Sequence, residues 1–309
     1  MKDKPTETTT RLQFAGHETF PLRLLWLKKA FDAVAYHGAA KKTFQEQEAI
    51  ARFGVGKNMA LSMRHWALAT GVLNDSEDGF EPSPIGRLLL DDKVGLDPFL
   101  EDPSTLWLVH AVLAGTPEFT TSFFYAFNVL NQAVFDRESL IEAIHEFAKA
   151  NGARGTAETI KRDVEVLLRS YAPRLGDLGE DAAEPLLAEL ALIRESRLAG
   201  QFEFVRGPKP SLSDGIFAFV LKRFWSRWHA DAPTLSAEQA SYAHGSPGRI
   251  FKLDEDSVMA RLSRMGSVTG GAITWSDTAG MRQVSLKGKL DAIDELALIS
   301  SGYAYRKAA

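Results

Sequence analysis

The sequence contains no cysteine. This absence excludes disulfide bonds, catalysis by a thiol and zinc sites that use cysteine ligands. It also fits a reducing compartment, because disulfide bonds form and persist mainly in oxidising ones.

The chain also lacks a long apolar run. No uninterrupted apolar stretch approaches the roughly 18 residues that a membrane-spanning helix needs. Residues Met1 to Thr10 are polar and rich in threonine, without the apolar segment of a signal peptide. We therefore expect a cytoplasmic protein with no membrane association and a flexible tail over residues 1–11.

An excess of positive charge is missing as well. Lysine and arginine number 36 against 40 aspartates and glutamates, which gives a formal net charge of -4. This balance excludes a uniformly basic nucleic-acid-binding surface but allows a local basic face. The length of 309 residues and the 45% hydrophobic content are those of a soluble protein with a substantial core and two or three domains.

One segment combines an apolar face with a small basic face. Gly54 and Gly56 separate a short helical pattern from a longer one, as the turn of a helix-turn-helix requires. Apolar or small residues share one face of the longer pattern: Met59, Met63, Trp66, Ala67 and Thr70. Residues that can contact DNA gather on the opposite face: Lys57, Asn58, Arg64 and His65.

The basic face suits a helix that reads DNA. Asparagine and arginine can pair with base edges, whereas lysine and histidine can contact phosphate. The alternative is an ordinary amphipathic helix with a solvated polar face. Leu61 and Leu68 fall among the polar residues, so we expect the segment Phe14 to Arg23 or a neighbouring domain to cover part of this face.

The order of predicted elements indicates a mainly α fold with small β hairpins. Three helices and then a hairpin around the acidic turn at residues 74–79 follow the winged-helix order. Helices followed by strands recur twice more, ending near residues 201–206 and 272–286. We therefore predict tandem winged-helix or helix-turn-helix-like units in domains spanning residues 12–100, 101–210 and 211–309.

Capping residues predict where two of the N-terminal helices begin. Thr19 as a cap and Pro21 in the first turn indicate a helix that continues to about Gly38. Thr43, with Glu46 three residues later, forms a capping-box pattern for the following helix.

His17, Glu18 and Arg23 form the best constellation for acid-base chemistry. Histidine can act as a base near neutral pH, and a carboxylate can hold a metal ion. Adjacent residues in a non-helical segment point apart, however, so the alternative is a buried, hydrogen-bonded His17. Lys161 and Arg162, near the start of a predicted helix, are candidates for contacts with the DNA backbone; a solvated, ion-paired face is the alternative there.

Two cofactor classes receive little support from the motifs. The segment from Gly54 to Asn58 is similar to the end of a phosphate-binding loop, but Ala51 stands where a glycine is needed and Asn58 where a serine or threonine is needed. We therefore expect no nucleotide cofactor. No spacing of carboxylates specifies a metal-dependent nuclease, so the metal ligands are unassigned.

Several motifs resemble the uncharacterised-domain family to which the SspB proteins belong. The similarity extends from about residue 12 to the C-terminal hairpin. The more specific motifs are Phe14 to Arg23, Trp26 to Lys29, Gly54 to Met59 and Arg64 to Trp66. Looser helical matches are Thr159 to Val164 with Tyr171, and Leu187 to Ile193.

The resemblance implies a part in bacterial phosphorothioate DNA modification and anti-phage defence. In that system SspB nicks DNA so that a partner enzyme can replace a backbone oxygen with sulfur. The implied partners are DNA, a cysteine desulfurase, an ATPase and a sulfur-transfer enzyme. The family supplies no catalytic motif that can be transferred residue by residue.

Three functional hypotheses follow. The first is a DNA-binding, metal-dependent nicking endonuclease that uses Mg or Mn, with His17, Glu18 and Arg23 in the chemistry. The second is a non-catalytic winged-helix DNA-binding adaptor. The third is a transcriptional regulator with a sensor domain in residues 100–309.

Overall fold

The computed structural model describes residues 12–38, 41–172 and 185–303. The fold is mainly α with three small antiparallel sheets, which confirms the predicted fold class at this level. The flexible tail predicted for residues 1–11 lies outside the described residues. No helix in the described parts of the chain has the length and apolar character needed to cross a membrane.

The N-terminal part contains three helices and a hairpin. The elements are α1 (Trp26–Ala35), α2 (Glu46–Phe53), α3 (Lys57–Ala69), β1 (Leu73–Asp75) and β2 (Phe80–Pro82). Strands β1 and β2 pair antiparallel, as the acidic turn between them predicts. Gly54 has a φ of 67°, a left-handed conformation that lets α2 end and α3 begin in a new direction.

Both N-terminal helices begin later than their capping patterns predict. Helix α1 begins at Trp26, because Thr19 is left-handed with a φ of 67° and its segment is hydrogen-bonded to distant parts of the chain. Thr43 lies in a short 3-10 helix (Lys41–Phe44), and Gln45 is the N-cap residue of α2. The Phe44 ring is fully buried against Phe53, which favours this tighter turn over the capping box.

The central part is built on a buried helix. Its elements are α4 (Pro84–Leu90), α5 (Pro103–Gly115), α6 (Pro117–Phe124) and a π-helical turn (Tyr125–Val129). Every residue of α5 from Ser104 to Ala114 is buried, as its nearly uniform apolar composition predicts. Near the C-terminus, Tyr303 and Thr105 share a hydrogen bond of 2.8 Å, which ties that end of the chain to α5.

Two later segments share one strand topology. The first consists of β3 (Val134–Asp136), α7 (Arg137–Ala150), α8 (Ala157–Tyr171), β4 (Ile193–Glu195) and β5 (Gln201–Phe204). The second includes β6 (Thr234–Ser236), α10 (Ala237–Tyr242), α12 (Glu255–Leu262), β7 (Ile273–Thr278) and β8 (Met281–Leu286). In each sheet the last strand lies between the first two, in the orders β3-β5-β4 and β6-β8-β7.

The remaining helices complete the third segment. They are α9 (Asp214–Trp228), α11 (Pro247–Ile250), α13 (Met265–Val268) and α14 (Glu295–Ser301). Nearly all the buried hydrophobic residues in the described parts of the chain form one cluster, from Leu22 to Tyr303. The domain boundaries near residues 100 and 210 stay a prediction.

Candidate functional site

The segment before α1, residues 12–25, is an irregular loop that we call the N-terminal loop. Several of its residues have left-handed backbones, with φ values of 66° at Ala15, 100° at Gly16, 46° at Glu18, 67° at Thr19 and 64° at Leu25. Such conformations cost a non-glycine residue roughly 1–3 kcal/mol each and persist where surrounding contacts impose them. The loop is therefore held in place by the rest of the protein.

Hydrogen bonds connect the loop to distant elements. The Gln13 amide donates to Thr121 Oγ1 of α6 (2.9 Å), and Trp66 Nε1 of α3 donates to the Phe20 carbonyl (3.0 Å). Arg169 of α8 donates to the Thr19 carbonyl (3.3 Å). These contacts fix the loop between α3, α6 and α8.

His17 lies in the interior, with both ring nitrogens engaged. The Thr19 amide donates to Nδ1 (3.2 Å), so Nε2 carries the proton that is donated to Asp163 Oδ1 (2.7 Å). The ring stacks on Trp66, with centroids 6.1 Å apart, and meets the ring of His65 edge-on. This is the buried, hydrogen-bonded alternative considered for His17.

Asp163 is a site residue that the sequence reasoning did not identify. It is 4% exposed, and its two carboxylate oxygens accept hydrogen bonds from the Ala15 amide (2.8 Å), His17 Nε2 and Ser122 Oγ (3.2 Å). The sequence did contain a signal, because Asp163 lies three residues after buried Ile160 and so falls on the apolar stripe of α8. A carboxylate on an apolar face requires buried partners.

His65 is also buried, which corrects its predicted place on the exposed face of α3. It is 5% exposed, and its Nε2 atom has no hydrogen-bond partner among the described residues. Burial first of all, and then electrostatic interaction with His17 and Arg64, lowers the pKa of His65 from 6.5 to about 3. The N-terminal loop covers this part of α3: a Cβ atom on Gly16 would lie 2.6 Å from His65 Nδ1.

The other predicted DNA-contacting side chains remain accessible. Lys57 and Asn58 are exposed at the start of α3, and Arg64 is half-buried. Lys57 and Arg64 are seven residues apart and so share one face of the helix. Helix α3 contains no acidic residue.

Lys161 and Arg162 are exposed in the first half of α8. Arg162 forms an exposed ion pair with Glu158, at 3.3 Å. The loop contacts His65 of α3 and Asp163 of α8, whose neighbours in the chain are Arg64 and Arg162. The N-terminal loop therefore contacts both helices. We give the name α3–α8 surface to their accessible predicted DNA-contacting residues: Lys57, Asn58, Arg64, Lys161 and Arg162.

Glu18 and Arg23 differ from His17 in their exposure. Glu18 is exposed although His17 is buried, so the two side chains do not form one acid-base pair. The Arg23 guanidinium lies over the rings of Phe20 and Trp26, at 5.6 and 5.4 Å from the ring centroids. Glu18 is the exposed carboxylate nearest in sequence to the buried His17–Asp163 pair.

Comparison with known proteins places the chain in a family. Residues 14–303 match the family model described as "Protein of unknown function (DUF4007)". The chain belongs to the DUF4007 family. The matched region of this DUF4007 chain includes most of the N-terminal loop, both helices of the α3–α8 surface and Asp163.

Two crystal structures have a similar fold, one described as SspB and the other as magnesium ion-bound SspB. Each is 27% identical in sequence, with a TM-score of 0.83, and the alignment covers 96% of this chain and 89% of the SspB chain. The resemblance to the SspB family is thereby confirmed. No curated protein matches the sequence.

The magnesium in one SspB structure raises the question of a metal site in this chain. Among the described residues, no group of three or more His, Asp or Glu side chains is arranged to hold a metal ion. Asp163 already accepts three hydrogen bonds, and both nitrogens of His17 are engaged. These two buried residues therefore do not fit a magnesium site, since Mg²⁺ takes oxygen ligands in an octahedral shell that includes several waters.

Proposed function

We propose that this chain is the DNA-binding component of a phosphorothioate DNA modification system that serves anti-phage defence. The similarity to SspB over most of both chains supports the assignment to that system. Within it, we assign the DNA contacts to the α3–α8 surface, with Asn58 and Arg64 at base edges and Lys57, Lys161 and Arg162 at phosphates. His65 is left out of these contacts because it is buried.

The observation that carries the proposal is the charge of α3. The helix has Lys57 and Arg64 on one accessible face and no carboxylate of its own, although the whole chain is acidic. A phosphate backbone approaching this face meets the side chains of Lys57 and Arg64 on a helix whose own sequence contains no carboxylate. Each phosphate contact releases a counterion, so binding of this kind weakens steeply with salt.

The arrangement of elements supports a winged-helix mode of binding. Helix α3 precedes hairpin β1–β2 and occupies the place of a recognition helix. The hairpin turn contains Asp75, Glu77 and Asp78, so we assign no phosphate contact to this wing. The two segments with the shared strand topology are candidates for the second and third winged-helix-like units.

A test of DNA binding measures affinity for labelled duplex at several salt concentrations. The double variant Lys57→Ala, Arg64→Ala is expected to bind more weakly and to reduce the slope of log affinity against log salt by roughly 1, because Lys57 is the phosphate contact of the pair and Arg64 is assigned to a base edge. Lys289→Ala, an exposed lysine in the third segment, is the matched control and is expected to leave the slope unchanged. An unchanged slope in the double variant would refute the role of α3.

The finer proposal is that the chain nicks DNA with the help of Mg or Mn. A nickase must polarise the scissile phosphate and activate a water molecule. Glu18 and Arg23 are the members of the predicted constellation that we assign to this chemistry, and His17 fixes the loop that carries them. When bound, a divalent ion would supply electrostatic stabilisation of the phosphate, with Glu18 as the accessible carboxylate of the loop.

A non-catalytic adaptor is the second candidate. It is favoured by the engagement of both His17 nitrogens, which leaves this imidazole without a free position for a water molecule. A plasmid assay separates the two candidates. A nickase converts supercoiled plasmid to the open circle with Mg or Mn and not with EDTA, whereas an adaptor retains plasmid without cutting it. A transcriptional regulator would instead bind one operator tightly and modification substrates no better than random DNA.

The partners in this proposal are the ATPase, the sulfur-transfer enzyme and the cysteine desulfurase of the modification system. They follow from the likeness to SspB. Co-purification of the sulfur-transfer enzyme with the full chain, in the presence of nuclease to remove bridging DNA, is the measurement that tests a direct contact.

A further inference from the structure

Asp163 joins three parts of the molecule through one buried carboxylate. It belongs to α8, it accepts a hydrogen bond from Ser122 of α6, and its Oδ1 atom accepts from both Ala15 and His17 of the N-terminal loop. All three donors are more than 40 residues away in sequence. The carboxylate therefore links separate elements and is not the capping residue of a helix.

The two loop donors lie on either side of Gly16, where the backbone is most unusual. Ala15 and Gly16 are left-handed, and so are Glu18 and Thr19 immediately after His17. A chain free in water would leave these conformations, since non-glycine residues disfavour them. Because Asp163 of α8 fixes Ala15 and His17, it also sets the direction that the backbone takes at Glu18 and Thr19.

We call the hydrogen bonds from Ala15 and His17 to Asp163 the clamp. The clamp also connects the two helices of the proposed DNA surface. His17 touches His65 and Trp66 of α3 with its ring while its Nε2 atom is bound to α8. The loop is thus held between the two helices that carry the α3–α8 surface. Losing the carboxylate would release the loop and expose the surfaces of α3 and α8 that it covers.

We propose that Asp163 is a positioning residue that holds the N-terminal loop in its left-handed conformation, and that DNA binding by the α3–α8 surface requires the loop in this conformation. The second half rests on the proposed function. Asp163 itself is buried and contacts no DNA, so it acts only through the loop.

Two substitutions separate the hydrogen bonds of Asp163 from its charge. Asp163→Asn keeps one carbonyl oxygen for Ala15 and His17, and its amide can donate to the Ser122 hydroxyl in place of the lost acceptor. Asp163→Ala removes every acceptor and leaves the Ala15 amide and His17 Nε2 without partners. The clamp is expected to survive the first change and fail after the second.

Asp97 provides a matched control. It is also 4% exposed, and it accepts three hydrogen bonds, from the amides of Glu101 and Asp102 and from the Thr105 hydroxyl. Asp97→Ala removes the same number of hydrogen bonds in the connection between α4 and α5, far in sequence from the loop. Any effect of Asp163→Ala that Asp97→Ala reproduces is a general loss of stability.

The experiment combines amide hydrogen exchange over residues 12–25 with DNA affinity, on the full chain and at one salt concentration. We expect Asp163→Ala to accelerate exchange in the loop by roughly tenfold or more, which is the scale of losing a buried hydrogen bond. DNA affinity is expected to fall as the fraction of molecules that keep the competent loop conformation falls, because the apparent affinity is proportional to that fraction. Asp163→Asn is expected to stay within about threefold of the wild type.

Several outcomes would overturn the proposal. Unchanged loop exchange in Asp163→Ala would refute the clamp, and equal losses of DNA affinity in Asp163→Ala and Asp97→Ala would refute a specific link to DNA. If Asp163→Ala does not fold, His17→Ala removes one of the two loop hydrogen bonds to Asp163, and the same comparison is made with that variant. If the wild-type chain retains no DNA, the proposed function fails, while the exchange measurement still decides whether Asp163 holds the loop.

Discussion

Gly16 offers a sharp test of how closely the N-terminal loop packs on α3. Its φ of 100° is strained for any side chain, and an added Cβ would lie 2.6 Å from Nδ1 and 3.0 Å from Cε1 of His65. The left-handed backbone costs an alanine roughly 1–3 kcal/mol. Overpacking against a buried ring costs roughly 1–3 kcal/mol more. We therefore expect Gly16→Ala to lower the free energy of unfolding by about 2–6 kcal/mol.

Gly288 separates the two contributions. Its φ is 88°, and nothing lies within 4 Å of an added Cβ. Gly288→Ala should therefore show the backbone cost alone, about 1–3 kcal/mol. Urea unfolding followed by tryptophan fluorescence measures both variants, and the difference between them is the steric part.

The double variant Gly16→Ala, His65→Ala tests the cause of that steric part. Removing the imidazole makes room for the new methyl group, so the two substitutions should be less costly together than the sum of their separate effects. We expect an interaction energy of about 0.5–3 kcal/mol, the range for residues in direct contact. Strict additivity, or equal losses in Gly16→Ala and Gly288→Ala, would show that the loop does not press on His65.

The remaining predictions concern charge and chemistry. Burial keeps His65 neutral, because its pKa is about 3 in the folded chain and 6.5 in the unfolded chain. Below pH 6.5 the unfolded chain binds a proton that the folded chain does not bind. The free energy of unfolding therefore falls as the pH is lowered to about 3, by up to about 1.4 kcal/mol per pH unit. His65→Gln should make the urea midpoint of unfolding less dependent on pH. An unchanged pH dependence would contradict the burial of a neutral ring. Glu18→Gln should abolish Mg- or Mn-dependent plasmid nicking with DNA retention intact, and nicking at the wild-type rate would remove Glu18 from the chemistry.

Local sequence signals predicted the regular elements well. The hairpin β7–β8 followed from alternating residues around a glycine-containing turn, and α5 followed from a nearly continuous apolar segment. Such signals work because turn geometry and helical periodicity depend on residues only a few positions apart. The N-terminal loop packs against His65, on the face of α3 for which a cover was predicted.

The same local signals failed where long-range contacts prevailed. Thr19 and Pro21 look like a helix start, but the backbone there is held by Trp66, Arg169 and Leu186, which lie far along the chain. The helix consequently begins only at Trp26. Capping preferences, of about 0.5–2 kcal/mol each, are easily outweighed by several buried tertiary contacts.

The sequence by itself determined a mainly α protein with small hairpins, a cationic α3 and a family resemblance that its comparison with SspB confirmed. Only the tertiary structure decided which polar residues are interior. Local pattern places His65 on the solvated face of α3, and it places Asp163 on the apolar stripe of α8 without naming a partner for it. Both are buried where a loop from the start of the chain covers them. A polar group can be buried when its partners are provided, and partners more than a hundred residues away are visible only in the folded chain.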